Sequence, residues 1–114
     1  MESFVIHKES DEHYYAVLLT SKGHIILRGT DCRNLHDCKY LIDSIRSNAT
    51  DYSKYELLTA NDGKYYFRVK GSGGDEIARS EIFDDTAERK AGIGLVRRTI
   101  PYANVDDQSL AVSV

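Results

Sequence analysis

Slid along itself by 51 positions, this chain meets itself. Phe4 lands on Tyr55, and the register then holds without a gap as far as Arg46 on Arg97. Under that shift Asp11, Tyr14, Tyr15, Ser21, Gly23, Ile26, Arg28, Lys39, Ile42 and Arg46 meet identical residues. A period near 50 residues marks two copies of one supersecondary unit. A free-standing copy of that size would bury only about 60% of its unfolded surface and be marginal. The two copies are therefore expected to share one core in a single domain of 114 residues. They span about 3–53 and 54–108, and 109–114 is read as a C-terminal tail.

Within the first copy, 4–8 reads as a strand and 9–12 as a turn. Residues 14–20, rich in aromatic and branched side chains, form a second strand. Gly23 turns the chain, and 24–28 is a third strand. Asn34 can cap a helix running to about Asn48, with Leu35, Cys38, Leu41, Ile42 and Ile45 as its apolar stripe. The second copy follows the same order. Residues 55–59 are a strand, and Asp62-Gly63 is a strong hairpin signal. In 65–70, Tyr65, Phe67 and Val69 share one face, while Tyr66, Arg68 and Lys70 share the other. That alternation belongs to a sheet with one buried side. Gly71 to Asp75 turn into a strand over 76–80. Asp85 and Glu88 form a capping-box-like pair before a helix that buries Ile93, Val96 and Ile100, and Pro101 ends it. Gly92 and Gly94 are expected to let this helix approach the sheet closely. The polar stretches 48–54 and 103–108 could each hold a further extended segment.

The fold class is thus α+β. Two β-β-β-α(-β) copies form one antiparallel sheet with two helices packed on one face.

Copy two resembles a known family at this point. Asp62-Gly63-Lys64-Tyr65-Tyr66-Phe67, then Glu76-Ile77-Ala78-Arg79-Ser80-Glu81-Ile82-Phe83, then Ala91-Gly92-Ile93-Gly94-Leu95-Val96 are similar to the repeat of the YegP-like family of small uncharacterised proteins. Copy one departs from the pattern: Gly29 stands for Ser80, Thr30 for Glu81, Cys32 for Phe83 and Leu41 for Gly92. The resemblance implies tandem units in one continuous sheet, with the strand after each helix exchanged between them. It also implies dimerisation in members with one copy. It brings no activity, no cofactor and no catalytic residues.

Composition narrows the function. A net charge of −3 and a pI near 5.8 argue against a general electrostatic grip on nucleic acid. No apolar run approaches a membrane span of roughly 18 residues, and the start carries no signal-peptide pattern. Cys32 and Cys38 read as reduced thiols of a cytoplasmic protein. The glycines 71, 73 and 74 join strands and lack the Lys-Ser/Thr of a phosphate loop. His7, His13, His24 and His36 have no metal-ligand spacing. Asp84, Asp85 and Glu88 suit a helix start. One set stands out: Tyr14, Tyr15, Tyr65, Tyr66, Lys64, Arg68 and Lys70, with Arg28 and Arg79. Rings beside cations on a sheet suit an interface or stacked single-stranded bases.

The expectation is a non-enzymatic interaction module of the YegP-like type. Tyr66, Arg68 and Lys70 are its candidate contact residues for a macromolecular partner. No catalytic, cofactor-binding or metal-ligating residue is assigned. Nucleic acid is disfavoured as a partner and a membrane is not expected. A monomer is expected, with weak self-association left open. Two alternatives stand beside this one. The first is single-stranded nucleic-acid binding through the Tyr/Arg sheet face. The second is a small-ligand protein or enzyme with a site between the copies.

Overall fold

The structure is a computed structural model, and it describes residues 2–109. Its elements in chain order are β1 (Ser3–Ser10), β2 (His13–Leu19), β3 (Ile25–Gly29), α1 (Leu35–Asn48), β4 (Tyr55–Thr59), β5 (Tyr65–Lys70), β6 (Glu76–Ser80), α2 (Thr86–Thr99) and β7 (Asn104–Asp107). The order β-β-β-α thus occurs twice, and β7 follows.

Local chemistry accounts for the turns and caps. Between β4 and β5 the Asp62 carboxylate accepts the Lys64 N–H at 3.0 Å, and Gly63 takes φ +83°. A side chain at such a φ is strained, so glycine is suited to it. Asn34 caps α1 by accepting the Asp37 N–H at 2.8 Å. Asp85 caps α2 by accepting that of Glu88 at 2.7 Å. The return arm of the expected capping box is displaced by one residue, for the Glu88 carboxylate takes the N–H of Asp84 at 3.2 Å. A short 3₁₀ turn over Ile100–Tyr102 follows α2 and contains Pro101.

All seven strands form one sheet in the order β4-β5-β6-β3-β2-β1-β7. The two β-β-β-α units join at β3 and β6, which run antiparallel with Leu27 opposite Ser80, Arg28 opposite Arg79 and Gly29 opposite Ala78. The sheet is mixed, not wholly antiparallel, because β7 lies parallel to β1 with Phe4 opposite Val105. The topology supplies the reason. α1 hands the chain to β4 at one end of the sheet. α2 hands it to the other end, where β1 already stands, so β7 joins outside β1 and runs the same way. The expected strand in 48–54 is replaced by a 3₁₀ turn over Tyr52–Lys54. Asp51 there accepts the N–H of Ser53 at 2.9 Å and its hydroxyl at 2.7 Å, which curls the backbone.

One core lies between the sheet and the helices. Phe4, Ile6, Leu18, Leu27, Phe67, Val69 and Ala78 of the sheet and Cys38, Ile42, Ile45, Ile93 and Val96 of the helices form a single buried cluster. The helix-free face of the sheet is thereby left to the alternate residues. The proposed tail is anchored at its first residue: Ser109 is buried, and its N–H and hydroxyl donate to the Asp107 carboxylate. The rest of the tail, 110–114, lies outside the described residues.

Candidate functional site

The join between the units carries the densest polar chemistry. Arg68 of β5 stands opposite Arg79 of β6, and Arg79 stands opposite Arg28 of β3. Three guanidinium side chains thus form one row across the middle of the sheet. Ala78, next to Arg79, belongs to the core, so the row points to the helix-free side.

Like charges in register repel, and three carboxylates offset them. Glu56 lies 2.6 Å from Nε of Arg68. Glu76 lies 2.8 Å from Arg79 and 3.7 Å from Arg68. Asp31 lies 3.1 Å from Arg28 and also meets His13 at 3.2 Å. The hydrogen bond that Arg68 donates to Glu56 raises the pKa of Arg68, and that from Arg79 to Glu76 does the same for Arg79. The hydrogen bond from His13, helped by Arg28, holds the Asp31 carboxyl below the usual range. These partly exposed pairs add little to stability. Their effect is to fix where the planar groups lie.

Two tyrosines complete the face. The Arg28 guanidinium sits 4.1 Å from the ring centre of Tyr15, and that of Arg79 sits 5.1 Å from Tyr66. Arg28 and Arg79 are 51 positions apart, and so are Tyr15 and Tyr66. The same cation-on-ring pair is therefore built twice, side by side. A cleft of about 500 Å³ opens between them, with Arg28, Asp31, Glu76, Arg79 and Ser80 among its walls.

Tyr66, Arg68 and Lys70 do share this face, and each is half-buried. Lys70 pairs in register with Glu76 but makes no ion pair among the described residues. Tyr14 and Tyr65 separate from the set, for both pack against the core. Lys64 is drawn away to Asp84, at 3.0 Å. The residues that sequence reasoning left scattered are Arg28 and Arg79. Their identity across the 51-residue shift was the available signal, but nothing in either copy states that β3 and β6 lie side by side.

The remaining candidates sit as follows. Cys38 is fully buried, and burial pushes its thiol up to about 12, the opposite of an activated nucleophile. Asp84, Asp85 and Glu88 are occupied with the start of α2 and with Lys64. Among the described residues no three His, Cys, Asp or Glu side chains stand together as metal ligands, and no helix is long and apolar enough to cross a membrane. A second cleft of about 510 Å³ lies between the β2–β3 turn and α2. Ile26, Phe83 and Leu95 contribute its apolar lining, with Thr20, His24 and Glu81 beside them.

Comparison with known proteins agrees with the fold. Residues 60–107 match the model of a domain of unknown function, DUF1508. YegP of Escherichia coli, a UPF0339 protein, is 29% identical over 93% of this chain and 96% of its own length. The solution NMR structure of the E. coli protein, described as of unknown function, superposes with a TM-score of 0.88 at 28% identity, covering 96% of this chain and 94% of that one. A UPF0339 protein of Shewanella oneidensis, also solved by NMR, shares the fold with a TM-score of 0.88 at 24% identity, covering 96% and 92%. A UPF0339 protein of Bordetella pertussis is 32% identical across 97% of this chain and its own entire length. With agreement of that extent in sequence, the chain belongs to the UPF0339 family.

Proposed function

We propose that the protein is a non-enzymatic binding module whose helix-free sheet face receives a protein partner. The observation that carries this reading is the row Arg68-Arg79-Arg28, interleaved with Glu56, Glu76 and Asp31 and flanked by Tyr66 and Tyr15. Arginine and tyrosine are favoured in interfaces because each presents a planar, partly apolar body with polar edges. The alternating signs suit a partner with its own mixed charges. Single-stranded bases are served less well, since a guanidinium already lies over each tyrosine ring. Tyr66, Arg68 and Lys70 are assigned to the contact together with Arg28 and Arg79. Two free thiols, Cys32 and Cys38, support a cytoplasmic setting.

Affinity capture tests this. The wild-type chain should retain a partner that Arg28→Gln/Arg79→Gln holds about tenfold more weakly or worse. Lys39→Gln, at an exposed position of α1, should leave capture unchanged. Turnover of a metabolite by the pure protein would overturn the reading. So would tight, salt-dependent binding of a single-stranded oligonucleotide at this face. The apolar cleft beside α2 favours a second reading, a small-ligand site between the units. A metabolite that raises the melting temperature in wild type but not in Leu95→Lys would support it.

A further inference from the structure

The two ends of the sheet are finished differently. β4 closes one end and, among the described residues, has a single neighbour, β5. Tyr65 exchanges backbone hydrogen bonds with Phe83, and Phe67 gives its N–H to the Ser80 hydroxyl, so both turn away from β4. Their register partners on β4 are Thr59 and Leu57. In an antiparallel pair such positions direct N–H and C=O away from the neighbour. Leu57 and Thr59 therefore present backbone donors and acceptors to the open edge, with no partner among the described residues.

The other end answers what belongs there. Ile6, which is 51 positions before Leu57, gives its carbonyl to the Gln108 N–H at 3.0 Å, and β7 runs parallel beside it. Ile6 is 0% exposed, whereas Leu57 is 46% exposed. Val105 and Asp107 of β7 stand with Lys39 and Ile42 of α1 around one groove. The matching positions on α2, Lys90 and Ile93, line a groove of about 270 Å³ with Leu57, Tyr52 and Arg89. No strand of the described chain fills it.

We infer that the β4 edge is a strand-acceptor site for an extended segment of a partner protein, running parallel to β4. Its chemistry follows from the lining. A residue in the place of Val105 is apolar, because it meets Ile93. A residue in the place of Asp107 is acidic, because Arg89 and Lys90 flank it. A residue in the place of Asp106 is neutral, because that position falls on the helix-free face beside Glu56, as Asp106 falls beside Val5 on β1. The last requirement disfavours β7 of a second copy, whose Asp106 would meet Glu56. Main-chain bonds supply the grip and the alternate side chains supply the selection. This site lies at the β4 margin, three strands from Arg28, and shares only Glu56 with the sheet-face reading.

The test uses the full chain, ¹⁵N-labelled, titrated with the synthetic peptide Ala-Asn-Val-Thr-Asp-Gln-Ser. Saturable shifts of the Leu57, Thr59 and Ile93 amides are expected. Ala-Asn-Val-Asp-Asp-Gln-Ser should bind several-fold more weakly, on the order of one carboxylate repulsion. Thr59→Pro removes an outward N–H that an edge strand can spare in folding, and should weaken binding about tenfold with the circular dichroism spectrum unchanged. Three results would overturn the inference. One is no saturable shift at millimolar peptide. Another is shifts confined to Phe4 and Ile6, which would mean displacement of β7. The third is a concentration-dependent dimer that protects the β4 amides, which would make a second copy the occupant.

Discussion

The two β-β-β-α units fill the same space under their helices from opposite sides. In the second unit the volume comes from the sheet side. The Phe83 ring, bridged to Tyr65, presses on α2 so closely that a Cβ on Gly92 would lie 2.6 Å from its Cζ. In the first unit the volume comes from the helix. Cys32 stands in the place of Phe83 and Leu41 in that of Gly92, and Leu41 reaches the sheet at Gly29, where a Cβ would lie 3.0 Å from its Cδ2. Ser80 occupies the position of that glycine in the second unit and uses its hydroxyl to hold Phe67. Large and small residues have changed places together. What looks like decay of a pattern in the first copy is a compensated repacking, of the kind dense interiors require.

The largest expected effect separates the two bridge residues. Phe83 stacks on Phe67 at 6.1 Å and is almost wholly buried. Phe83→Ala should cost about 3 kcal/mol. Cys32→Ala, at the matching place, should cost about 1 kcal/mol or less, since only one sulfur atom is lost. Urea denaturation of both variants decides this, and equal losses would break the comparison.

A smaller effect tests the reciprocity itself. Gly92→Ala gains up to about 1 kcal/mol of helix propensity but sets a methyl against a ring that cannot retreat, at about 1–3 kcal/mol. The variant should therefore be destabilised on balance. In a Phe83→Ala background the same substitution should be stabilising, because the clash is gone. A double-mutant cycle reads this as a reversal of sign, and additive effects would show that the two positions are independent.

Much of this was legible in the residues. Strand and helix limits followed from alternation, the apolar stripe of α1 and the caps Asn34 and Asp85, each a short-range signal. Gly92 declared a close approach correctly. Gly94 did not, for a Cβ there would meet only the guanidinium of Arg98. The parallel β1–β7 pair was not legible, because it depends on which sheet end is already occupied when α2 delivers the chain. The Arg28–Arg79 contact escaped for a related reason. Register between two units is a long-range choice, and a repeat names equivalent positions without saying which of them touch. That Tyr66, Arg68 and Lys70 share one face was legible because it needed only the period of one strand.

Arginines at matching positions provide a third, more modest contrast. Arg46 donates to the carbonyl of Ile100 at 2.8 Å and to that of Ala103, and it lies 5.3 Å from the ring of Phe4. It thereby ties α1 to the segment that delivers β7. Arg97, 51 positions on, has a 3.4 Å bond to the Thr50 carbonyl from an exposed site. Arg46→Ala should cost about 2 kcal/mol, in the range for charge-assisted bonds, and should speed amide exchange in β7. Arg97→Ala should stay within about 0.5 kcal/mol of wild type.

The last contrast is the pH dependence that the Cys38 thiol brings to the first unit. Burial pushes the Cys38 thiol up from 9.0 to about 12, and the matching place in α2 holds Arg89 instead of a thiol. The sign follows from proton release. The unfolded chain loses this proton near 9.0 while the folded chain keeps it to about 12. The contribution is therefore complete below pH 9.0 and is lost as the pH climbs through that window. Tyr55, whose hydroxyl is buried against the Ala49 carbonyl at 2.7 Å, is raised by its own burial and acts in the same direction. Cys38→Val removes one contributor and keeps the volume nearly constant. Urea midpoints between pH 8 and 10.5 should fall more steeply in wild type than in the valine variant. Parallel curves would mean that the thiol of α1 titrates no differently folded than unfolded, and that the first unit's core is as open to water at that point as the exposed groove of the second.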